Sequence, residues 1–204
     1  MSSPLNCLVN CWVVIPVKPP DQAKSRLAEV LGSAQRAALA GAMLRHVLTA
    51  ARAADHVRHI ALLGPSRLGL PDDVPLLADA GDGLNPALQG ALAHVAAQGA
   101  ERLIVLFADL PQLAALDVQL LAAAPTGTLA IAPDRHGTGT NALSLPLPAA
   151  RGFTFSFGPD SFALHCAEAE RLELPVEEIR SPGLARDVDV PEDLADAAEL
   201  IDPG

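Results

Sequence analysis

An apolar run, Cys11–Val17, leads without a break into a loop that carries three cations, Lys18, Lys24 and Arg26. A run of this kind reads as a buried strand. A strand that delivers charged side chains to one edge of a sheet is a recurrent way for α/β folds to assemble a ligand site. No glycine lies between Trp12 and Leu31, so this edge is not a Gly-rich cradle of backbone N–H groups. Positive charge has to come from side chains, which suits phosphate oxygens.

The rest of the chain repeats the alternation of strand and helix. A helix is expected over 33–54, with Ser33 as N-cap and Leu39, Met43, Leu44, Val47 and Leu48 at helical spacing. Strands are expected at His59–Leu63 and Val74–Leu77, and a helix from Asn85 as N-cap with Pro86 behind it, ending at Gly99. The run Arg102–Phe107 reads as a central strand buried on both faces. A helix over 114–124 and strands at Leu129–Ala132 and Ala142–Leu145 follow, then a helix opened by Phe157–Ser161 and running to Ala169. A short strand at Arg171–Leu174 and a closing helix over Pro191–Ile201 complete the expectation. Repeated βα units without a linker or a low-complexity tract predict a single α/β domain over residues 1–204.

Hydrophobic residues make up 50% of the chain but aromatics only 3%. The core is therefore expected to be aliphatic, a sheet covered by Ala-rich helices. A net charge of −10 opposes a general nucleic-acid binder, which needs a basic face. No basic, apolar leader opens the chain and no apolar run approaches the roughly 20 residues that cross a bilayer. A cytoplasmic protein without membrane or nucleic-acid partners is the expectation. Cys7, Cys11 and Cys166 form no CxxC pair and are expected to be free thiols.

Asp109 stands where the central run ends, placed either to hold a cation or to cap the next helix. In Asp187-Val188-Asp189 an extended backbone points both carboxylates to one face. Two such charges need a metal or cations to neutralise them, and the alternative is a solvated turn before a helix. Gly137–Asn141 offers small residues and hydroxyls, and Phe157–Ser161 a fresh helix N-terminus, both suited to an anion. The six histidines show no metal-ligand spacing. His136, in a loop between two such elements, is the one candidate among them, although a satisfied surface or core histidine is the expectation.

Taken in order, Ile15–Leu27, GLNPAL (Gly83–Leu88), ADLP (Ala108–Pro111), GTGTNAL (Gly137–Leu143), FGPDS (Phe157–Ser161) and DVDVPEDL (Asp187–Leu194) resemble the guanylyltransferases of coenzyme F420 biosynthesis. The resemblance implies a Rossmann-like three-layer sandwich of the nucleotide-diphospho-sugar transferase (GT-A-like) type. It implies transfer of GMP from GTP to the phosphate of phosphoenolpyruvate, 3-phospho-D-glycerate or 2-phospho-L-lactate, with release of pyrophosphate. By matching positions, Lys18, Lys24 and Arg26 would contact the GTP phosphates and Asn85 would lie by the nucleoside. Asp109 with Asp187 or Asp189 would hold Mg²⁺, and Thr140, Asn141, Gly158, Asp160 and Ser161 would grip the phospho-acid. A downstream F420 transferase would receive the product, and the resemblance allows a homodimer. Asn141 stands where relatives often have a second Thr, and Val190 where the DVDT form has Thr. Molybdenum-cofactor and sugar-phosphate nucleotidyltransferases share the fold, but usually open with a Gly-rich LxGGxSxRMG-like loop that PVKPPDQAKSRL replaces here. A non-catalytic nucleotide-binding subunit is the alternative from another class.

Overall fold

The computed structural model describes residues 9–19, 22–79 and 81–201; Cys7 lies outside them. Seven strands form one mixed sheet: β1 (Cys11–Pro16), β2 (Val57–Leu63), β3 (Leu76–Leu77), β4 (Arg102–Leu106), β5 (Leu129–Pro133), β6 (Thr140–Pro146) and β7 (Val176–Glu178), in the spatial order β3-β2-β1-β4-β6-β5-β7. The principal helices are α1 (Ser33–Ala53), α2 (Leu84–Ala97), α3 (Ala115–Ala122) and α4 (Ser161–Arg171). Two short ones, α5 (Pro182–Ala185) and α6 (Ala198–Ile201), lie near the C-terminus.

Alternation along the central strands divides the core between two layers of helix. Val13, Ile15, Ile104 and Leu106 pack against Leu44, Val47 and Leu48 of α1 and Val118 and Leu121 of α3. On the opposite face Val14, Leu103 and Val105 meet Leu88, Leu92 and Val95 of α2, with Phe153 and Phe155 beside them. The result is the three-layer α/β arrangement that the alternating pattern predicts.

Polarity of the sheet decides which residues can meet. β1 runs parallel to β2 and β4, so the loops after β1 and β4 leave the same edge. β6 is antiparallel to β4, with Leu106 opposite Ala142, so β6 begins at the edge where β4 ends. Thr140 and Asn141 thereby enter the sheet next to the loop that carries Asp109, and the Phe107 N–H donates to the Asn141 carbonyl. The expected polar turn is therefore shorter, because these two residues already belong to the strand.

Several boundaries differ from expectation for local reasons. Ser33 is the first helical residue and Gly32 the cap, whose N–H donates to Gln35 Oε1 at 2.9 Å. Asn85 is not the cap of α2: the helix starts at Leu84 behind Gly83, whose φ of 100° suits glycine. The expected strand at Arg171–Leu174 is absent, since the Leu172 and Leu174 N–H groups donate back to Glu168 and Ala169 carbonyls and prolong the helical end. The strand comes later, as β7. The Val74–Leu77 strand contracts to β3, and the closing helix begins as a 3-10 segment over Pro191–Ala197 before α6.

Arg102 opens β4 and is buried, 3% exposed, without a carboxylate hydrogen-bonded to it among the described residues. Its guanidinium donates to the carbonyls of Ala124 and Pro125 at 2.9 and 3.0 Å, to Ser144 Oγ at 2.9 Å and to the Thr128 carbonyl at 3.3 Å. One cation thus ties the end of α3 to β4, β5 and β6. Arg102→Met should strand those acceptors and lower stability by about 3 kcal/mol or more. Thermal unfolding should then shift down by roughly 10 °C at this chain length; an unshifted transition would show that water replaces the guanidinium.

Candidate active site

A cavity of ≈ 910 Å³ opens at the edge where β1 and β4 end and β6 begins. That is near the upper end of the usual size for small-molecule sites. Its lining includes the cations Lys18, Lys24 and Arg26, the carboxylates Asp109, Asp187 and Asp189, and the small or polar residues Thr140, Asn141, Gly158 and Ser161. Of the residues expected at the site, Asn85 and Asp160 do not belong to this lining.

The cation loop is held by shape as much as by charge. Leu27 is fully buried with Leu39, Met43 and Val188, and anchors the loop from below. Lys24 adopts a left-handed backbone, φ 52°, uncommon for a residue with a long side chain. Its ammonium donates to Asp109 Oδ2 at 2.7 Å and to Asp189 Oδ1 at 3.3 Å, while Arg26 Nη1 donates to Asp189 Oδ2 at 3.3 Å. Burial works against charge on Lys24, but Asp109 and then Asp189 outweigh it and hold the ammonium above its ordinary value. The Lys24 side chain is 9% exposed and that of Arg26 72%, so the first charge is buried in the site and the second faces solvent.

The carboxylates are placed by one backbone contact and by the Asp193 side chain. The Val188 N–H donates to the Asp109 carbonyl at 3.1 Å, which lays the segment 187–189 against the end of β4. Val188 turns fully inward, and Asp187 and Asp189 both face the cavity, the alternation expected of an extended segment. Asp193 completes the arrangement: its Oδ2 accepts from the N–H groups of Asp189 and Val190 at 2.8 and 2.9 Å, and its Oδ1 from Arg135. Burial opposes ionisation of Asp193, but these donors outweigh it and keep the carboxyl below its ordinary value. Asp187 goes the other way, pushed up by burial, then by Asp109 and more weakly by Asp189, against a donor from Asn141 at 3.4 Å.

Asn141 also donates to the Leu184 carbonyl at 2.9 Å and so ties β6 to α5. Asn85 is engaged with backbone: it donates to the Phe157 carbonyl at 3.1 Å and accepts the Phe157 N–H at 2.8 Å. Asn85 thus positions the loop before Gly158 from behind the wall. Asp160 takes a left-handed backbone as N-cap of α4, with no side-chain cap bond.

Sequence reasoning did not single out Asp193, Arg135 or His165. The acidic residue third in the turn after Val190 is half of a capping-box pattern, and His165 lies four residues after Ser161 on one helix face; both signals were present in the chain. The two described thiols, Cys11 and Cys166, do not line this cavity, and burial pushes Cys11 up to about 12, so it is inert as a nucleophile.

Comparison with known proteins agrees with the site. The family described as "Guanylyl transferase CofC like" matches residues 11–201. The phosphoenolpyruvate guanylyltransferase of Chloroflexus aurantiacus is 40% identical over 188 residues, covering 87% of this chain and 89% of the relative. That of Sphaerobacter thermophilus is 40% identical over 190 residues, covering 91% of each. Among solved structures, a nucleotidyl transferase from Methanothermobacter superposes with a TM-score of 0.64 at 13% identity, covering 95% of this chain and 99% of the other. A CMP:2-keto-3-deoxy-manno-octonic acid synthetase complexed with CTP gives 0.62 at 13% identity, covering 94% and 98%. At such identities these two establish the fold alone, a Rossmann-like nucleotidyltransferase fold. This chain is a nucleotidyltransferase and belongs to the CofC-like guanylyl transferases, the coenzyme F420 guanylyltransferases that its motifs resemble.

Proposed function

We propose that the protein transfers GMP from GTP to the phosphate of phosphoenolpyruvate and releases pyrophosphate. The observation that carries this reading is one cavity whose lining joins Lys18, Lys24 and Arg26, the latter two ion-paired to Asp109 and Asp189, with the buried hydroxyls of Thr140 and Ser161. The names of the relatives support the choice of acceptor. In this reading an oxygen of the acceptor's phosphate attacks the α-phosphorus of GTP and the bond to the β-phosphate oxygen breaks. Pyrophosphate carries that oxygen away. The attacking oxygen is already an anion at neutral pH, so no general base is required. The difficulty is to bring two polyanions together, which positioning and fixed charge overcome. Lys18, Lys24 and Arg26 would take the triphosphate, and Thr140, Gly158 and Ser161 the acceptor.

The donor set fits Mg²⁺. Asp187 is an under-neutralised carboxylate beside Asp109. Among the described residues no three His, Cys, Asp or Glu side chains group into a metal cage of their own. Mg²⁺ commonly takes one or two carboxylates and completes its shell with phosphate oxygens and water. Asp109 and Asp187 would hold it, with Asp189 beside them; the chemistry it supplies there is neutralisation of charge on the phosphates. We also propose that the chain acts as one cytoplasmic domain and passes its product to a downstream transferase. No helix among the described residues is long and apolar enough to cross a membrane.

The test is pyrophosphate release from GTP with Mg²⁺ in parallel reactions with phosphoenolpyruvate, 2-phospho-L-lactate and 3-phospho-D-glycerate. The downstream transferase and its deazaflavin acceptor are included to trap the product. Release should be fastest with phosphoenolpyruvate and far slower when CTP or ATP replaces GTP. Preference for another acid would reassign the acceptor. GTP binding without release under any of these conditions would point to a binding subunit.

A further inference from the structure

Behind the Thr140 and Ser161 hydroxyls lies His165, fully buried on α4. Ser161 and His165 are four residues apart and so share one face of the helix. The imidazole sits between Phe153 and Phe157, with ring centroids 5.8 and 4.6 Å away. Its Nε2 lies 3.1 Å from the Ser156 backbone N–H and its Nδ1 3.1 Å from Thr140 Oγ1. Thr140 Oγ1 lies in turn 3.4 Å from Ser161 Oγ.

These contacts determine the tautomer. A backbone N–H can only donate, so Nε2 must be the bare nitrogen. Burial pushes His165 down to about 4 against a smaller opposing effect of Glu168, so the ring is neutral at pH 7. Its single proton therefore sits on Nδ1 and is donated to Thr140 Oγ1. With that lone pair filled, the Thr140 hydroxyl hydrogen has to turn away from the ring, toward Ser161 or the cavity. Whichever hydroxyl donates to the other, the pair still presents one hydrogen to the cavity. A hydroxyl that already accepts a hydrogen bond is also the better donor.

We propose that His165 is a positioning residue that fixes the Thr140–Ser161 pair as hydrogen-bond donors to the anionic group of the acceptor acid. The inference rests on the reading of this site as an acceptor pocket, and it assigns His165 no contact with substrate. Asn85 extends the same scaffold one step back, since it holds the Phe157 backbone, whose ring packs against the imidazole.

The experiment is a double-mutant cycle on kcat/KM for the acceptor, with His165→Phe, Thr140→Val and the pair. Phe keeps a ring among the phenylalanines but cannot donate. His165→Phe should raise KM for the acid on the order of tenfold, as expected for one lost hydrogen bond that supports an anion, with the dissociation constant of GTP unchanged. The double variant should be no worse than Thr140→Val alone, and His165→Asn, whose amide N–H falls near the position of Nδ1, should recover most of the loss. Long-range ¹H–¹⁵N spectra of the wild-type ring should show Nδ1 protonated, a readout that needs no variant to fold. Independent effects in the cycle, parallel losses for GTP and acid, failure of Asn to improve on Phe, or a proton on Nε2 would each overturn the proposal. Wild-type protein that releases no pyrophosphate with any acid would instead overturn the reading beneath it.

Discussion

Asp109→Ala should reduce pyrophosphate release on the order of a thousandfold while leaving the fold intact. The expectation follows from two tasks that meet on one carboxylate. Asp109 Oδ2 fixes the Lys24 ammonium at 2.7 Å, and the same group stands at the end of β4 where a divalent cation would be shared with the phosphates. Loss of one fixed charge that acts on the transition state typically costs a factor of about 10² to 10³, and here the variant also leaves Lys24 with Asp189 as its remaining anionic contact. The structural cost is small, because the contact that docks the segment 187–189 uses the Asp109 backbone carbonyl, which alanine retains. Asp109→Asn separates charge from shape and should be nearly as inactive. Single-turnover kinetics with circular dichroism on the same samples would check this; near-normal turnover of either variant would remove Asp109 from the reaction.

How much of this could be read from the chain depends on the range of the interactions involved. The layers were legible because burial imposes local periods: Val13 and Ile15 face one helix layer and Val14 the other, as strand alternation requires. The cavity wall was legible where charge stands at the end of an apolar run, as for Lys18 and Asp109. The polarity of β6 was not legible, since nothing near Thr140 reports whether the chain returns parallel or antiparallel to β4. Asn85 shows the limit at a single residue. Asn-Pro before an apolar stretch is a sound helix start, but here the side chain bonds Phe157, 72 residues away, and Gly83 takes the cap. Arg102 and Asp193 make the same point, because a buried charge is explained by the acceptors or donors around it, and those come from distant elements. The chemistry was therefore visible wherever it sat at a strand end, and hidden where it worked through a neighbour.

Asp187→Asn should have opposite effects on function and stability. Asp187 is half-buried beside Asp109 and Asp189, and partial burial and then those neighbours hold its carboxyl above its ordinary value. A group raised in this way contributes stability that is fully present below its unfolded value and is lost as pH rises through the folded one. At neutral pH, without metal, the charged form therefore opposes folding. Asparagine keeps the outline and can still accept from Asn141, which lies 3.4 Å from Asp187 Oδ1, but carries no charge. The metal-free variant should gain about 1 kcal/mol and unfold roughly 2–4 °C higher at pH 7. The difference should vanish as the pH falls and Asp187 is protonated in the wild type. Turnover should fall on the order of 10²-fold or more, and Mg²⁺ or Mn²⁺ should raise the unfolding temperature of the wild type but not that of the variant, because in the proposed reading only the wild type would hold the ion in its folded state. Scanning calorimetry of both proteins, with and without metal, checks all of this together. A variant less stable than wild type at pH 7, or one that metal stabilises equally, would mean that Asp187 is a structural acceptor and that the ion is held elsewhere. In the proposed reading the trade has a physical origin: a carboxylate that is to neutralise a cation would have to be left under-neutralised until the cation and its phosphates arrive.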